Sequence, residues 1–266
     1  MFQPVGGMDQ IGKAFARQLG GAITYNANVT RIDQDGSGVR VSLQDAARGG
    51  EERIASADWC ICTSPLSVLS RIAVTASDAM ATAIGKVPYA ASVKVGLQFK
   101  RRFWEEDEAI YGGISYTDLP ICRSADLPIT LISYPCTNYH SPGKGVLLGA
   151  YAWGLDAYQF TAMTPEQRVR KAVEYGAQLH PQYPRKFENG IAVGWHRVPF
   201  THGCFGMWSE QARAERYTSL CQIDGRLALA GEHVSYIPAW QEGVILSAHD
   251  VVGRLHRKVI AGGARA

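Results

Sequence analysis

Reactive side chains are plentiful in this sequence, and their spacing limits what they can do together. The six cysteines are Cys60, Cys62, Cys122, Cys136, Cys204 and Cys221. None belongs to a CxxC pair or lies near a HxxxH-type partner, so no zinc site or redox pair is indicated. Cys60 and Cys62 alternate along an expected strand and share one of its faces, and the six are read as buried free thiols. His196 beside Trp195 and His233 beside Glu232 lie next to residues of interest, but no Ser/His/Asp or metal-ligand grouping can be assembled from spacing. Lys94 falls on the polar side of an alternating strand, where a solvent-facing lysine is the ordinary outcome. Near the C-terminus a strand end, the Gly231-Glu232 turn, a polar loop and a helix start follow one another, a corner that favours anionic groups. Gly6 and Gly7 let the chain pass close to a bound molecule.

Periodicity shows the elements that must position these residues. Met8, Ile11, Phe15 and Leu19 recur at helical spacing just after the Gly-Gly pair. Residues 23–32 and 39–44 are β-rich and joined by the turn formers of 33–38, which makes a hairpin. A third strand is expected over 53–62, running into Ser64 as a helix cap with Pro65 in the first turn. A helix starts near Met80. Over 91–99, Val93, Val95, Leu97 and Phe99 alternate with Ser92, Lys94, Gly96 and Gln98, the pattern of a half-buried strand. Further strands are expected at 129–134, 146–153 and 191–197. Thr164 and Gln167 form a capping box around Pro165 and announce a helix over 165–179. Residues 227–230 read as a buried strand end, and a long apolar-striped helix covers 241–259.

The 266 residues are 46% hydrophobic and 19% charged, which excludes a disordered, collagen-like or coiled-coil chain. The 27 Lys and Arg against 24 Asp and Glu leave a net charge of +3. The densest basic groups, at Lys100 to Arg102 and His256 to Lys258, are too small for a nucleic-acid footprint. No apolar run approaches the ~18 residues of a membrane span, and the N-terminus lacks a signal-peptide pattern, so a cytoplasmic protein is expected.

Four blocks, in order, resemble the flavin-containing amine oxidases, the family of monoamine oxidase and the L-amino acid oxidases. They are PVGGM at Pro4 to Met8, NVTRI with the later ADWCICTSPLSVL, the SVKVGLQFKRRFW block, and AGEHVSYIPAWQEGVILSA. The last is the most specific. One departure stands out: the family begins with a Rossmann βαβ unit whose GxGxxG turn holds the FAD pyrophosphate, and this sequence has none. The chain therefore resembles the C-terminal part of such an enzyme. A second chain or a missing N-terminal segment carrying the Rossmann unit is the expected partner.

The resemblance implies roles residue by residue. Lys94 matches the lysine that holds a water against flavin N5, supplying fixed charge and donors beside the hydride acceptor. Trp240 and Phe205 match the facing aromatic pair that orients the substrate amine, with core packing as the alternative. Trp195 is placed against the flavin. Cys204 follows it at the spacing of the flavin-linked cysteine in monoamine oxidases, but a plain buried cysteine is the favoured reading. Gly231, Glu232, Gln241, Glu242, Gly243 and Val244 match FAD contacts, with Glu232 suited to a ribityl or ribose hydroxyl. The helix from Gln241 aims its dipole at the flavin pyrimidine end. Val29 matches a backbone contact to adenine, and Gly7 is assigned to the substrate.

The expected fold is α/β, an incomplete FAD-binding domain built from 1–75 and 196–266, with a mixed-sheet substrate domain at 76–195 inserted between. The expected activity is oxidative deamination of an amine, most closely an L-amino acid, with molecular oxygen as acceptor. The products would be the imine or 2-oxo acid, ammonia and hydrogen peroxide. The rival is a non-catalytic flavoprotein subunit or a truncated remnant unable to bind FAD alone.

Overall fold

Strong periodicity becomes regular structure in a computed structural model of the chain, which describes residues 4–117 and 127–263. Cys122 lies outside the described residues. Helix α1 (Asp9–Leu19) is followed by strands β1 (Ala27–Gln34), β2 (Val39–Asp45), β3 (Gly49–Ala57) and β4 (Cys60–Cys62), then α2 (Leu66–Leu69), β5 (Ala73–Val74) and α3 (Asp78–Gly85). Next come β6 (Ser92–Phe99), α4 (Phe103–Glu106), β7 (Ile114–Tyr116), β8 (Leu131–Ser133), β9 (Gly145–Trp153), α5 (Gly154–Thr161), α6 (Pro165–Leu179), α7 (Tyr183–Lys186) and β10 (Phe187–Gly194). Helix α8 (Glu210–Cys221), β11 (Ile223–Asp224), β12 (Leu227–Leu229) and α9 (Gln241–Gly263) complete a mixed α/β chain.

Two compact units form, one from Met1–Gly20 with Ala91–Val198 and the other from Gly21–Ala90 with Pro199–Ala266. Both unit boundaries fall later in the sequence than the domain boundaries expected at 75/76 and 195/196, and the first twenty residues group with the middle of the chain.

In the first unit the sheet order is β10-β6-β9-β8-β7, with every neighbouring pair antiparallel. The alternation along β6 decides its orientation. Val93, Val95, Leu97 and Phe99 are fully buried and pack with Phe103, Trp104, Phe160 and Tyr183. Phe99 sits edge-on to Phe103 at 5.1 Å and 4.7 Å from Tyr183, the offset geometry aromatic rings prefer. Helix α6 carries both bonds of its capping box, Gln167 N–H to Thr164 Oγ1 at 3.3 Å and Thr164 N–H to Gln167 Oε1 at 2.8 Å. The other face of β6 bears Lys94, whose register partners are Tyr151 on β9 and Val193 on β10.

The second unit holds two sheets. One is an antiparallel meander, β3-β2-β1, to which β5 adds in parallel at Arg31 and Ile32. The other has the order β11-β12-β4, with β12 and β4 parallel and Leu227 opposite Cys60. Helix α9 lies on it through Val251 and Ala248 against Ala228 and Ala230.

Several local expectations are corrected. The single strand over 53–62 is broken at Asp58-Trp59, so that β3 stays in the meander and β4 pairs in parallel with β12. Arg226 enforces the break: its guanidinium donates to the Asp58 carbonyl at 3.0 Å and lies 5.3 Å from the Trp59 ring, while Cys60 N–H donates to the Arg226 carbonyl at 2.9 Å. Ser64 does not cap α2, because Pro65 occupies the cap position and no side chain bonds there. The strand expected at 191–197 instead ends at Gly194, and Trp195–Arg197 forms a 3-10 turn. The first strand starts at Ala27, because Gly20–Ala22 also forms a 3-10 turn. Helices α5 and α8 had no assignment. Of the described cysteines only Cys62 is fully buried. The apolar stripe of α1 is exposed at Met8, Phe15 and Leu19.

Replacing Thr164 by Ala removes the hydroxyl acceptor of the α6 box and is expected to lower stability by ~1 kcal/mol. Thr164→Ser should retain most of it. Urea unfolding of both variants beside the native chain checks this.

Candidate functional site

The chain from β12 into α9 is shaped by two glycines that no other residue could replace. A Cβ on Gly243 would lie 2.1 Å from the Ile237 carbonyl oxygen, so the loop folds directly onto the first turn of α9. Gly231 has φ +135°, and a Cβ there would meet the His233 ring at 2.7 Å. Its N–H donates to Ser247 Oγ at 2.9 Å, and that hydroxyl donates to the Val244 carbonyl at 2.8 Å. The loop is thereby tied to the second turn of the helix. Val244 N–H donates to the Trp240 carbonyl at 3.2 Å, which starts the helix and leaves the N–H groups of Gln241, Glu242 and Gly243 without intrahelical acceptors. Those donors and the helix dipole make a positive end. The Trp240 side chain is 62% exposed, which removes core packing as its role.

Glu232 follows Gly231 and reaches two neighbouring loops. Its Oε1 accepts from Gly206 N–H at 3.0 Å and its Oε2 from Ala239 N–H at 3.4 Å. Phe205 is half-buried on a segment paired with residues 88–90. Cys204 N–H donates to the Ala90 carbonyl at 2.8 Å, Ala90 N–H to the Phe205 carbonyl at 2.9 Å, and Met207 N–H to the Pro88 carbonyl at 2.7 Å. Phe205, Met207, Trp208 and Pro238 line an open cavity of about 700 Å³, and Trp208 Nε1–H is buried without a hydrogen-bond partner. Phe205 and Trp240, distant in sequence, are therefore carried on loops joined through one carboxylate. Cys204 is half-buried.

In the first unit the Lys94 ammonium lies 4.4 Å from the centre of the Tyr151 ring, which in turn is 4.0 Å from the Trp153 ring. This cation–π contact directs the lysine across the open face of the sheet. Trp195 is half-buried just beyond β10, and His196 Nε2 is 3.0 Å from Thr161 Oγ1, with burial pushing that imidazole's pKa down. Gly7 sits in an exposed turn whose N–H donates to the Pro4 carbonyl at 3.2 Å. Val29, in the second unit, pairs with Leu43 at a β-bulge, and its side chain packs against the core below the meander.

Sequence reasoning missed Tyr151, Trp153, Tyr89, Trp208 and Ser247. Tyr151 and Trp153 could have been found, because the strands at 91–99 and 146–153 carry compatible alternations and an antiparallel pairing sets them beside Lys94. The other three depend on contacts between distant segments. Among the described residues no group of three or more His, Cys, Asp or Glu could hold a metal ion, and no helix is long and apolar enough to cross a membrane.

Comparison with known proteins places these features in context. A family profile for flavin-containing amine oxidoreductases matches residues 1–256. The chain is 28% identical over 258 residues to an L-amino-acid oxidase of Siganus canaliculatus, covering 96% of this chain and 47% of that protein. It is 28% identical over 266 residues to a flavin-dependent L-tryptophan oxidase of Lentzea aerocolonigenes, covering 98% and 53% respectively. A solved structure of putrescine oxidase, described as wild type bound to putrescine, superimposes with a TM-score of 0.75 at 16% identity, over 95% of this chain and 53% of that one. The chain thus spans about half the length of these relatives.

His233, between the loop and β12, is 1% exposed, and burial lowers its pKa from 6.5 to about 4. The unfolded chain binds this proton first as pH falls, so the stability contribution is complete above about 6.5 and declines through about 4. The loss across that window is expected to be about 3 kcal/mol. Urea unfolding at both ends of the window should show it, and His233→Gln should lack that part of the pH dependence.

Proposed function

Since the chain belongs to the flavin-containing amine oxidoreductase family, we propose that it provides the flavin-facing and substrate-facing part of an enzyme that oxidatively deaminates an L-amino acid. The cofactor of this family is FAD. In the proposed reaction the substrate's α carbon gives up hydride, the amine becomes an imine, and water hydrolyses it to the 2-oxo acid and ammonia. Oxygen takes up the two electrons together with two protons, equivalent to the α-carbon hydrogen and the N–H hydrogen that the amine loses, and is released as hydrogen peroxide. When bound, FAD supplies the acceptor for those electrons.

The observation that carries this reading is the joining of Phe205 and Trp240 through Glu232 at the start of α9. This links two loops that carry aromatic side chains, and Trp240 stands at the positive start of α9. The donor set there fits a flavin. First-turn N–H groups of Gln241, Glu242 and Gly243, with Val244 behind them, would hold the pyrimidine end, where negative charge gathers on reduction. The Gly231 backbone and a free lone pair of Glu232 would meet the ribityl chain. Residues 27–30 of β1 lie beyond the reach of β5, which suits a backbone contact from Val29 to adenine. Trp195 and Lys94 are assigned to the flavin, and Gly7 to the substrate. L-amino-acid oxidases among the relatives favour an amino acid over a diamine.

Among the described residues no GxGxxG turn leads from a strand into a helix, the usual cradle for the pyrophosphate. We assign that task to a βαβ unit supplied by a second chain or a further segment. Strand β4 is an edge of the mixed β11-β12-β4 sheet and could accept its first strand.

The test is peroxide release from the chain combined with such a unit, across L-amino acids, D-amino acids and diamines. Turnover confined to L-amino acids supports the reading; turnover of diamines alone, or flavin binding without turnover, rejects it. In the same enzyme Lys94→Met should retain FAD yet slow flavin reduction and reoxidation by ~10²-fold or more, because it removes a fixed charge needed as electrons move. Stopped-flow absorption measures both steps.

A further inference from the structure

Glu232 is engaged in a way its expected role as a hydroxyl partner does not explain. Its two oxygens accept from the N–H groups of Gly206 and Ala239, the residues adjoining Phe205 and Trp240. The segment bearing Phe205 is fixed along its opposite edge by residues 88–90, and Tyr89 forms an antiparallel bridge with Gly206. Both edges of the Phe205 backbone are thus held, one by main chain and one by a carboxylate. Ala239 has φ +67°, a left-handed conformation costly for a residue with a Cβ. Such a residue persists where its surroundings fix it, and the bond to Glu232 is one such restraint. Tyr89 completes the group. Its hydroxyl accepts from Leu66 N–H at 3.1 Å and lies beside the Glu232 carboxylate, and burial, followed by that negative charge, pushes the phenol up. It therefore stays neutral and able to donate.

We infer that Glu232, steadied by Tyr89, is a positioning residue that sets the separation of the loops carrying Phe205 and Trp240, and through it which amine side chains are admitted. This rests on the reading of those two aromatics as walls of the substrate slot. A carboxylate suits the task because one rigid, planar group accepts from two loops at once, with charge-assisted bonds stronger than neutral ones. Its remaining lone pairs stay open to a ligand hydroxyl, so positioning and cofactor contact are compatible.

The experiment has two arms. In the first, amide hydrogen exchange is followed by NMR in the chain itself, without flavin or substrate. Glu232→Ala should speed exchange at both Gly206 and Ala239 by roughly 10-fold or more, while Ala230, whose N–H is bonded to Cys62, is unchanged. Glu232→Gln, with one carbonyl oxygen, should protect one of the two and serves where the alanine variant folds poorly. In the second arm, in the FAD-loaded enzyme, Glu232→Gln should raise KM for the preferred amino acid more than it lowers kcat and narrow the preference between small and large side chains. Unchanged exchange at both amides overturns the inference whatever the enzyme does, and FAD loss with protected amides would make Glu232 a cofactor ligand instead. Released amides with unaltered preference overturn it through the slot reading on which it rests. A native enzyme inactive on every L-amino acid rejects the proposed function separately, because the exchange arm is read without turnover.

Discussion

Parallel pairing of Cys60–Cys62 with Leu227–Leu229 is the contact on which the arrangement of the second unit depends. Parallel strands need a crossover. Here the crossover contains the whole β6 to β10 segment, so most of the first unit is inserted between two strands of the second that lie side by side. The pairing brings the meander near the N-terminus and the loop and helix near the C-terminus into one body. It also fixes where chemistry can occur, because ligands of open α/β sheets gather beyond the carboxyl ends of the strands. Strand β12 ends at Leu229, and Gly231-Glu232 follows just beyond it.

From that end the loop has little freedom. Ser247 holds Gly231, the missing Cβ of Gly243 lets the Ile237 carbonyl approach, and Glu232 holds Ala239. Each restraint acts on backbone, so the side chain of Trp240 is left exposed while its position is set. The other unit uses a different device. Lys94 is held by the face of Tyr151, an aromatic partner that orients the ammonium without neutralising its charge.

Much of this was legible in the sequence where one local rule decided the outcome. The alternation over 91–99 gave the buried face of β6, and the capping box at Thr164 gave the start of α6, because both are settled by neighbours within one element. The break between β3 and β4 was not legible, since it depends on Arg226, a residue far away in sequence. Ser64 has the chemistry of a cap, but the backbone at Pro65 takes the position first. At the site, the family resemblance singled out Lys94, Phe205, Glu232 and Trp240 as candidates. The geometry that joins the loops of Phe205 and Trp240 through Glu232 was hidden, because a carboxylate accepting from two main-chain N–H groups leaves no mark in the identities of the donors.

The central claim is that this chain carries the flavin and substrate faces of the site and leaves the pyrophosphate to another unit. It is tested most directly by the visible absorption spectrum of the chain after gel filtration with added FAD, alone and combined with a GxGxxG βαβ unit. A colourless chain alone and a flavin-bearing combination are the results expected. A chain that retains stoichiometric FAD by itself would contradict the claim and require a phosphate site built from its own residues.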